Sequence, residues 1–365
     1  MKILIKREKL KRAISSVVGV VDRKQTMPIL GHILLENHDS SLKLTATNLE
    51  VQISSITKVI EMDSFESTAV SGRKLYEIIR SLDSKDVELH TTKGQLIIKT
   101  KDSSYKISTL PGNDFPLFDN SEITEAFKMN QEKLLSLFNK TYFSMARQDV
   151  RFYLNGLLLE TEPNKIKAIA TDGHRLAASE MSVDKKQLTK TASIVPRKAI
   201  LELIRLLDGN EDVKAEIGPN SIRLTFNDLS FITKLIDGKF PDYNRVIPTN
   251  IKINIQLNSL ALKPSLQRVS ILANEKFKGI RLETTGNTLS LSSENPEQEE
   301  AYEKISLQEK VKSIIVGFNV SYLIDAVSSC EGSVVCLSLN DENSSALITS
   351  PEDKDTKYVV MPMRL

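Results

Sequence analysis

The sequence predicts an α+β protein that is built from three copies of one domain. Three observations predict it. Similar apolar strands recur at a fixed period, each copy contains two helical patterns, and alternating strand patterns follow each helix. The chain has 365 residues, which is enough for three domains of about 120 residues, a common domain size.

The repeat is clearest in three apolar strands that each carry a Gly near the start and a Glu at the end. The closing residues are Glu36, Glu160 and Glu283, which are 124 and 123 residues apart. Chance resemblance between short apolar strings does not predict a common offset. The three strands are PILGHILLE (28–36), FYLNGLLLE (152–160) and FKGIRLE (277–283).

Further landmarks share this offset. VSGRKLYEII (70–79) matches VPRKAILELI (195–204), with Arg73 and Arg197 as equivalents, and IIVGFNVSYLIDAV (314–327) is a weaker third copy. The segments between copies contain Pro and turn-forming residues, as linkers do. We therefore expect domains at 1–120, 121–248 and 249–365.

A second, fainter repeat divides each copy into two halves. A short strand precedes each helix and alternating strands follow it, so each copy is predicted to contain two βαβββ halves. Copy two repeats the pattern with helices near 131–143 and 197–207. In copy three, Pro264 either starts the first helix or kinks it. The apolar residues that show helical spacing in copy one are Leu10, Ala13, Ile14, Val17 and Val18, and then Leu75, Ile78, Ile79 and Leu82.

Composition narrows the class of protein. The net charge is only +2, with 40% apolar and 26% charged residues, which is typical of a soluble globular protein. No apolar run is long enough for a signal peptide or a membrane span. Cys330 and Cys336 fit no common zinc spacing, so we expect two reduced thiols in a cytoplasmic protein.

Basic residues recur on the predicted helices. A charge run on any one helix is ordinarily a solvated face, but recurrence at equivalent positions collects positive charge on one side of an assembly. Such a surface favours weak, sequence-independent contact with the phosphates of duplex DNA. In copy three, Phe318 and Asn319 stand where the other copies have Arg-Lys. The recurrent basic residues are Lys6, Arg7, Lys9, Lys11 and Arg12, then Arg73, Lys74 and Arg80, and then Arg197, Lys198 and Arg205.

The segment IATDGHRLA (169–177) raises the question of catalysis, since Asp172 and His174 could belong to a hydrolase triad. No nucleophile elbow, phosphate-binding loop or metal-ligand cluster accompanies it. Thr47 and Asn48 stand 124 residues before Thr171 and Asp172, so the segment is predicted to be a turn between strands. Because only copy two continues with Gly-His-Arg-Leu, this turn is a candidate site.

These repeats, together with ATDGHRLA, DGKFPDYNRV, NPEQEEA and the ending YVVMPMRL, resemble the bacterial DNA polymerase III β-subunit family of sliding clamps over essentially the whole chain. The resemblance implies a head-to-tail homodimer in which six domains form a ring. Helices line the hole, sheets form the outside, and duplex DNA passes through. It implies no catalysis, metal or cofactor. The implied partners are a clamp loader, the replicative DNA polymerase and other proteins that carry short clamp-binding peptides.

The resemblance also assigns residues to three surfaces. At the dimer interface it places Tyr105, Ile107, Ile271 and Leu272. For DNA binding it points to Arg23, Arg73, Gln148, Arg151, Tyr153, Arg197 and Lys198. For the peptide-binding pocket it points to Leu154, Thr171, Gly173, His174, Arg175, Leu176, Pro241, Arg245, Val246, Ser345, Val359, Val360, Met361, Pro362, Met363 and Arg364.

Two other functions are compatible with parts of the sequence. An open, monomeric repeat scaffold could bind DNA or protein without encircling it. A hydrolase centred on Asp172 and His174 would show turnover that Asp172→Asn abolishes.

Overall fold

The computed structural model describes residues 2–21, 27–92, 94–118, 122–183, 188–209 and 211–364. The chain divides into two compact units. Unit 1 comprises Met1–Glu132 and Leu201–Leu235, and unit 2 comprises Lys133–Ile200 and Ile236–Leu365.

Copies one and two contain the two predicted βαβββ halves, and copy one has a short extra strand between its halves. In copy one the elements are β1 (Lys2–Lys6), α1 (Arg7–Val18), β2 (His32–His38), β3 (Ser41–Thr47), β4 (Val51–Lys58), β5 (Glu61–Met62), β6 (Thr68–Ser71), α2 (Gly72–Ser81), β7 (Asp86–Thr92), β8 (Gln95–Lys99) and β9 (Ser104–Pro111). In copy two they are β10 (Glu125–Asn130), α3 (Gln131–Asn139), β11 (Gly156–Glu162), β12 (Lys165–Thr171), β13 (Arg175–Ser182), β14 (Thr191–Pro196), α4 (Arg197–Leu206), β15 (Asp212–Ile217), β16 (Ser221–Phe226) and β17 (Leu229–Lys234).

Copy three follows the same order, but its central strands are continuous. Two long strands, β19 (Gly279–Glu294) and β20 (Glu300–Asn319), pair antiparallel, with shifts in register around residues 284–288. Its elements are β18 (Ile253–Asn258), α5 (Ser259–Val269), β19 (Gly279–Glu294), β20 (Glu300–Asn319), α6 (Val320–Ser329), β21 (Val334–Leu339), β22 (Ala346–Ser350) and β23 (Asp353–Val360).

Within each unit, a strand of one copy extends the sheet of the preceding copy, and the pairing is the same in both units. In unit 1, β17 of copy two pairs antiparallel with β4 of copy one. In unit 2, β23 of copy three pairs antiparallel with β13 of copy two. Thus the last strand of one copy continues the sheet of the copy before it.

The helices form where the apolar spacing predicts them. In α1, Leu10, Ala13, Ile14 and Val17 are at most 3% exposed, so this stripe faces the core and the basic residues remain on the other face. A buried cluster of unit 2 packs α5 and α6 against strands of copy three, with Phe318 and Tyr358 among its members. Neither cysteine is in a disulfide.

Pro264 lies in the interior of α5. The helix begins at Ser259, and the side chain of Asn258 caps it by accepting a hydrogen bond from the backbone N–H of Leu260. A proline start at residue 264 is therefore wrong. Because proline has no N–H, the helix loses one i to i−4 hydrogen bond at this position.

Two of the sequence matches are out of register. The helices α2, α4 and α6 begin at Gly72, Arg197 and Val320 and follow strands that pair in the same way. Arg197 is therefore equivalent to Gly72, one position before Arg73. The match of residues 318–319 to the Arg-Lys pairs is wrong by two positions for Arg197-Lys198 and by three for Arg73-Lys74. The conclusion that α6 contributes less positive charge stands, because its sequence VSYLIDAVSS has no Lys or Arg.

Candidate functional site

The turn between β12 and β13 is held by its own side chains. The hydroxyl of Thr171 donates to the carbonyl of Arg175 at 2.6 Å and accepts from the N–H of Gly173 at 3.1 Å. One carboxylate oxygen of Asp172 accepts from the N–H groups of His174 and Arg175 at 2.9 and 3.0 Å. Gly173 has φ of +89°, a conformation that favours glycine.

Copy one contains the same turn. Thr47 donates to the carbonyl of Val51 and accepts from the N–H of Leu49, and Asn48 accepts from the N–H groups of Glu50 and Val51. Leu49 also has positive φ, at +73°. The prediction that IATDGHRLA is a turn in a repeated scaffold is therefore confirmed.

A cavity of about 170 Å³ lies beside this turn in unit 2. It is smaller than the pockets of roughly 300–1,000 Å³ that hold drug-sized ligands, so it suits one or two apolar side chains of a peptide. Leu154, Leu176 and Val359 form buried walls, and Met361 is 36% exposed at the side. The N–H of Met361 donates to the carbonyl of His174 at 2.9 Å, which fixes the end of the chain against the turn.

The cavity brings together part of the predicted pocket. The predicted residues in its lining are Leu154, Thr171, Gly173, Arg175, Leu176, Pro241, Val246, Val359 and Met361. The remaining lining residues are Asp242 and Tyr243, which were not predicted, and Arg151 and Tyr153, which were assigned to DNA. Outside this lining are His174, Arg245, Ser345, Val360, Pro362, Met363 and Arg364.

Met363 and Arg364 lie in a different place. The N–H of Met363 donates to the carbonyl of Gly317 at 2.9 Å. Its side chain packs beside Gly279, and both Met363 and Arg364 line a second, more open cavity of about 800 Å³. Phe277, which is 58% exposed, lines that cavity too.

Tyr243 is a wall residue that pattern reasoning missed. Its hydroxyl donates to a carboxylate oxygen of Glu160 at 2.7 Å, which fixes the ring. Burial, then the hydrogen bond to Glu160, raises the pKa of this hydroxyl, so it stays neutral. A tyrosine in a linker between copies carries no periodic signal that could have identified it.

The corresponding corner of unit 1 is occupied by side chains of the chain itself. Strand pairing makes Gln52 equivalent to Leu176 and Lys234 equivalent to Met361. The side chain of Gln52 accepts from the N–H of Phe118 at 2.9 Å, and the ammonium of Lys234 lies 5.2 Å from the ring centre of Phe118. Polar replacements therefore fill a corner that is apolar and open in unit 2.

Arg175 is embedded in a network rather than directed into solvent. Its guanidinium bonds to Asp172 at 3.0 Å, to Asp325 of α6 at 2.5 Å and to the carbonyl of Phe143 at 2.6 Å. The guanidinium also lies 4.5 Å from the ring centre of Tyr322. The side chain is 14% exposed, so it shapes the cavity from behind the turn.

The loop before β11 carries three residues predicted to contact DNA. Arg151 is clasped by Asp149, with hydrogen bonds of 2.9 and 3.0 Å, which is the local pair expected of a surface loop. Hydrogen bonds from the side chain and backbone of Arg151 lower the pKa of Asp149 to about 2. Gln148 is exposed with φ of +57°, and Tyr153 is half-buried at the cavity.

The other predicted DNA residues have different settings. Arg73 is exposed on α2, whereas Lys198 is half-buried on α4. Arg197 donates to the carbonyls of Tyr142 and Met145 at 3.2 Å, and burial lowers its pKa. Arg23 lies outside the described residues.

The predicted interface residues lie in both units. In unit 1, Tyr105 and Ile107 lie on β9, and Tyr105 is 37% exposed. In unit 2, Ile271 and Leu272 follow α5, and Ile271 is 76% exposed. A large aliphatic side chain with that exposure is typical of a contact surface when other apolar side chains lie beside it and form a continuous patch.

The geometry does not fit a hydrolase. The carboxylate of Asp172 is engaged by two backbone N–H groups and by Arg175. Among the described residues, no hydrogen bond joins the ring of His174 to a carboxylate. In the same part of the chain, no group of three or more His, Cys, Asp or Glu could hold a metal ion. None of the helices described is long and apolar enough to cross a membrane.

Sequence comparisons agree along the whole chain. Models of the N-terminal, central and C-terminal domains of the DNA polymerase III beta subunit match residues 1–119, 128–242 and 244–364. A beta sliding clamp of Pseudomonas putida is 42% identical, and one of Escherichia coli K12 is 38% identical, each over the full length of both chains. A Pseudomonas aeruginosa sliding clamp solved with griselimycin superposes with a TM-score of 0.96 at 39% identity, again over all of both chains.

The repeated α+β fold and these matches define a sliding clamp rather than an enzyme. The chain belongs to the DNA polymerase III beta subunit family. Its function is that of a DNA sliding clamp, a non-enzymatic processivity factor in replication.

Proposed function

We propose that two copies of this chain close head to tail into a ring around duplex DNA and tether replication proteins through the cavity in unit 2. One observation supports the ring. The pairing of the last strand of one copy with the sheet of the copy before it, called a joint here, occurs twice within the chain. The two strand edges that would form a third joint are unpaired in the described chain. We also propose three domains, at 1–120, 121–248 and 249–365. The protein is proposed to act in the cytoplasm.

The open joint has two halves. In the two joints within the chain, the last strand of a copy pairs with the strand that follows the repeated turn. Residues 104–108 of β9, the last strand of copy one, pair with β8 and, among the described residues, with no other strand. Residues 300–306 of β20, the equivalent of β4 and β13, likewise pair only with β19 in the described chain. A second copy would supply the missing partner to each edge.

Apolar side chains at these edges support this pairing. Tyr105, which is exposed, and Ile107, which is half-buried, lie on the β9 edge. The exposed Ile271 lies beside β20 in copy three. Two identical joints of this kind close a symmetric ring in which both the β9 edge and the β20 edge are paired.

Contact with DNA would be electrostatic and independent of sequence. Arg73 and Lys74 are exposed on α2, and Lys9 and Arg12 are exposed on α1. Lysine and arginine on helices hold phosphates without reading bases. The small net charge of +2 favours a clamp that slides over one that grips.

The cavity is proposed to take a short peptide with Leu and Phe anchors from a polymerase, the clamp loader or another partner. Its walls are mostly apolar, with charged groups among them. The turn fixes their shape, which lowers the cost of ordering on binding. Met361 adapts to different anchors because its side chain is flexible. We expect Met361→Ala to weaken binding of such a peptide by about 1–2 kcal/mol, or roughly fivefold to thirtyfold, since three apolar heavy atoms are lost. Isothermal titration calorimetry measures this, and unchanged affinity would remove the cavity from the proposal.

Retention on DNA tests the ring. The protein is loaded onto nicked circular DNA with a clamp loader and ATP, and the circle is then cut once. A ring stays on the circle and slides off the linear product, whereas an open scaffold is indifferent to the cut. The variant Ile271→Asp serves as a control that should fail to be retained even on the circle. Equal retention before and after cutting contradicts encirclement.

A further inference from the structure

Asp325 occupies a special place in the network behind the cavity. It lies on α6 of copy three, and its carboxylate accepts from Nη1 of Arg175, which belongs to copy two, at 2.5 Å. We propose that Asp325 is a positioning residue for peptide docking: by holding Arg175, it fixes the turn that forms one wall of the cavity. This inference rests on the proposed function of the cavity.

The mechanical link runs through four residues. Nε of Arg175 donates to the second carboxylate oxygen of Asp172 at 3.0 Å. The first oxygen of that carboxylate holds the N–H of His174 at 2.9 Å, and the carbonyl of His174 holds the N–H of Met361 at 2.9 Å. Displacement of the Arg175 guanidinium would therefore reach Met361, which lines the cavity.

Asp325 is the acidic partner of Arg175 that comes from outside the turn. The Asp172 side chain is 16% exposed and moves with the turn, whereas Asp325 is anchored on a helix of the next copy and is 42% exposed. Without Asp325, a guanidinium that is only 14% exposed would keep a single carboxylate. Partly buried guanidinium groups depend strongly on such partners.

Comparison with unit 1 shows that this link is not a general feature of the repeat. Val51 stands at the position of Arg175, so the turn of copy one has no guanidinium. Glu202 is equivalent to Asp325 on α4, and it bonds to Arg205 of its own helix at 2.8 Å. Arg205 in turn bonds to the carbonyls of Ser15 and Ser16 on α1 and not to the turn. An ion pair from the next copy to the turn residue thus occurs at the corner with the cavity and not at the corner that Gln52 fills.

The test uses the full-length protein and an uncharged peptide, acetylated and amidated, that carries Leu and Phe anchors. Asp325→Ala is expected to weaken peptide binding threefold to tenfold, and Asp325→Glu to weaken it less. Arg175→Gln should weaken binding as well, and adding Asp325→Ala to it should have no further effect, because both changes break one link. Hydrogen exchange at the N–H groups of His174 and Met361 should become faster in Asp325→Ala.

A matched variant separates positioning from general loosening of unit 2. Lys140 forms ion pairs of 2.8 Å with Glu331 and Asp353, which also join copies two and three but do not line the cavity. Lys140→Met should lower the melting temperature and leave peptide affinity unchanged.

The outcomes distinguish the two proposals. If wild-type protein binds the peptide and Asp325→Ala binds it equally well, the positioning role is wrong while docking stands. Full additivity of the Asp325 and Arg175 changes, or equal weakening by Lys140→Met, also overturns the positioning role. If the wild-type protein does not bind the peptide at all, peptide docking fails and the inference fails with it.

Discussion

Replacing Ile271 with alanine should weaken ring closure far more than a single surface substitution normally does. Ile271 is 76% exposed in the isolated chain. Complete burial of an aliphatic side chain of this size is worth about 1.5–3 kcal/mol, and alanine keeps only the first carbon, so each joint loses about 1–2 kcal/mol. A head-to-tail dimer contains two identical joints, and the loss becomes about 2–4 kcal/mol per ring, or roughly 30-fold to 900-fold in the dissociation constant.

Sedimentation or mass photometry over a dilution series measures this constant directly. Leu260→Ala is a suitable control. Leu260 is 79% exposed in the first turn of α5, the helix that precedes Ile271, and it is not assigned to the joint. If Ile271→Ala dissociates at the same concentration as wild type, or if the control dissociates equally early, the proposed joint is refuted.

Three further predictions concern the turn, the DNA surface and the loop clasp. Gly173→Ala should cost about 1–2 kcal/mol of folding stability in thermal unfolding, since φ is +89° and the new carbon would lie 3.0 Å from the Arg151 guanidinium. In the control Gly94→Ala, φ is +75° and the new carbon would have no atom within 4 Å. Its loss of stability should therefore come from the backbone conformation alone. An equal loss in both variants would show that contact with Arg151 contributes nothing. Arg73→Gln should reduce the slope of log affinity for DNA against log salt concentration by about 0.9 for each Arg73 that contacts a phosphate. An unchanged slope would show that Arg73 does not contact phosphate. The pKa of Asp149 is depressed from 3.8 to about 2 by Arg151, so the clasp is complete above pH 4 and is lost as pH falls toward 2; a carboxylate titration by NMR at the ordinary value would show that the clasp does not form.

The fold was largely predictable because the sequence repeats itself. The recurrence at 123–124 residues predicted the order of strands and helices, although α3 ends at Asn139 and not near residue 143. The Thr-Asx pairs identified one turn twice. Prediction failed where a single insertion shifts the register, as between Arg73 and Arg197, because periodicity in helices tolerates an error of one residue. Strand pairing, which the sequence does not state, corrected the match.

The site was predictable only in part. Residues within a motif, such as Leu176 and Met361, line the cavity as expected. The contact between Arg175 and Asp325 joins residues that are 150 positions apart, so no local pattern reveals it. Met363 lines a different cavity. Its N–H bonds to the carbonyl of Gly317, a residue distant in sequence, so no local pattern reveals this position either.

The duplicated turn has an implication for how specificity could diverge. The hydrogen bonds common to both copies come from a threonine and an Asn or Asp, and in copy two Arg175 adds a bond to Asp172. Substitutions beside the turn can therefore change what a corner accepts while the backbone keeps one shape, as Gln52 and Lys234 in place of Leu176 and Met361 show.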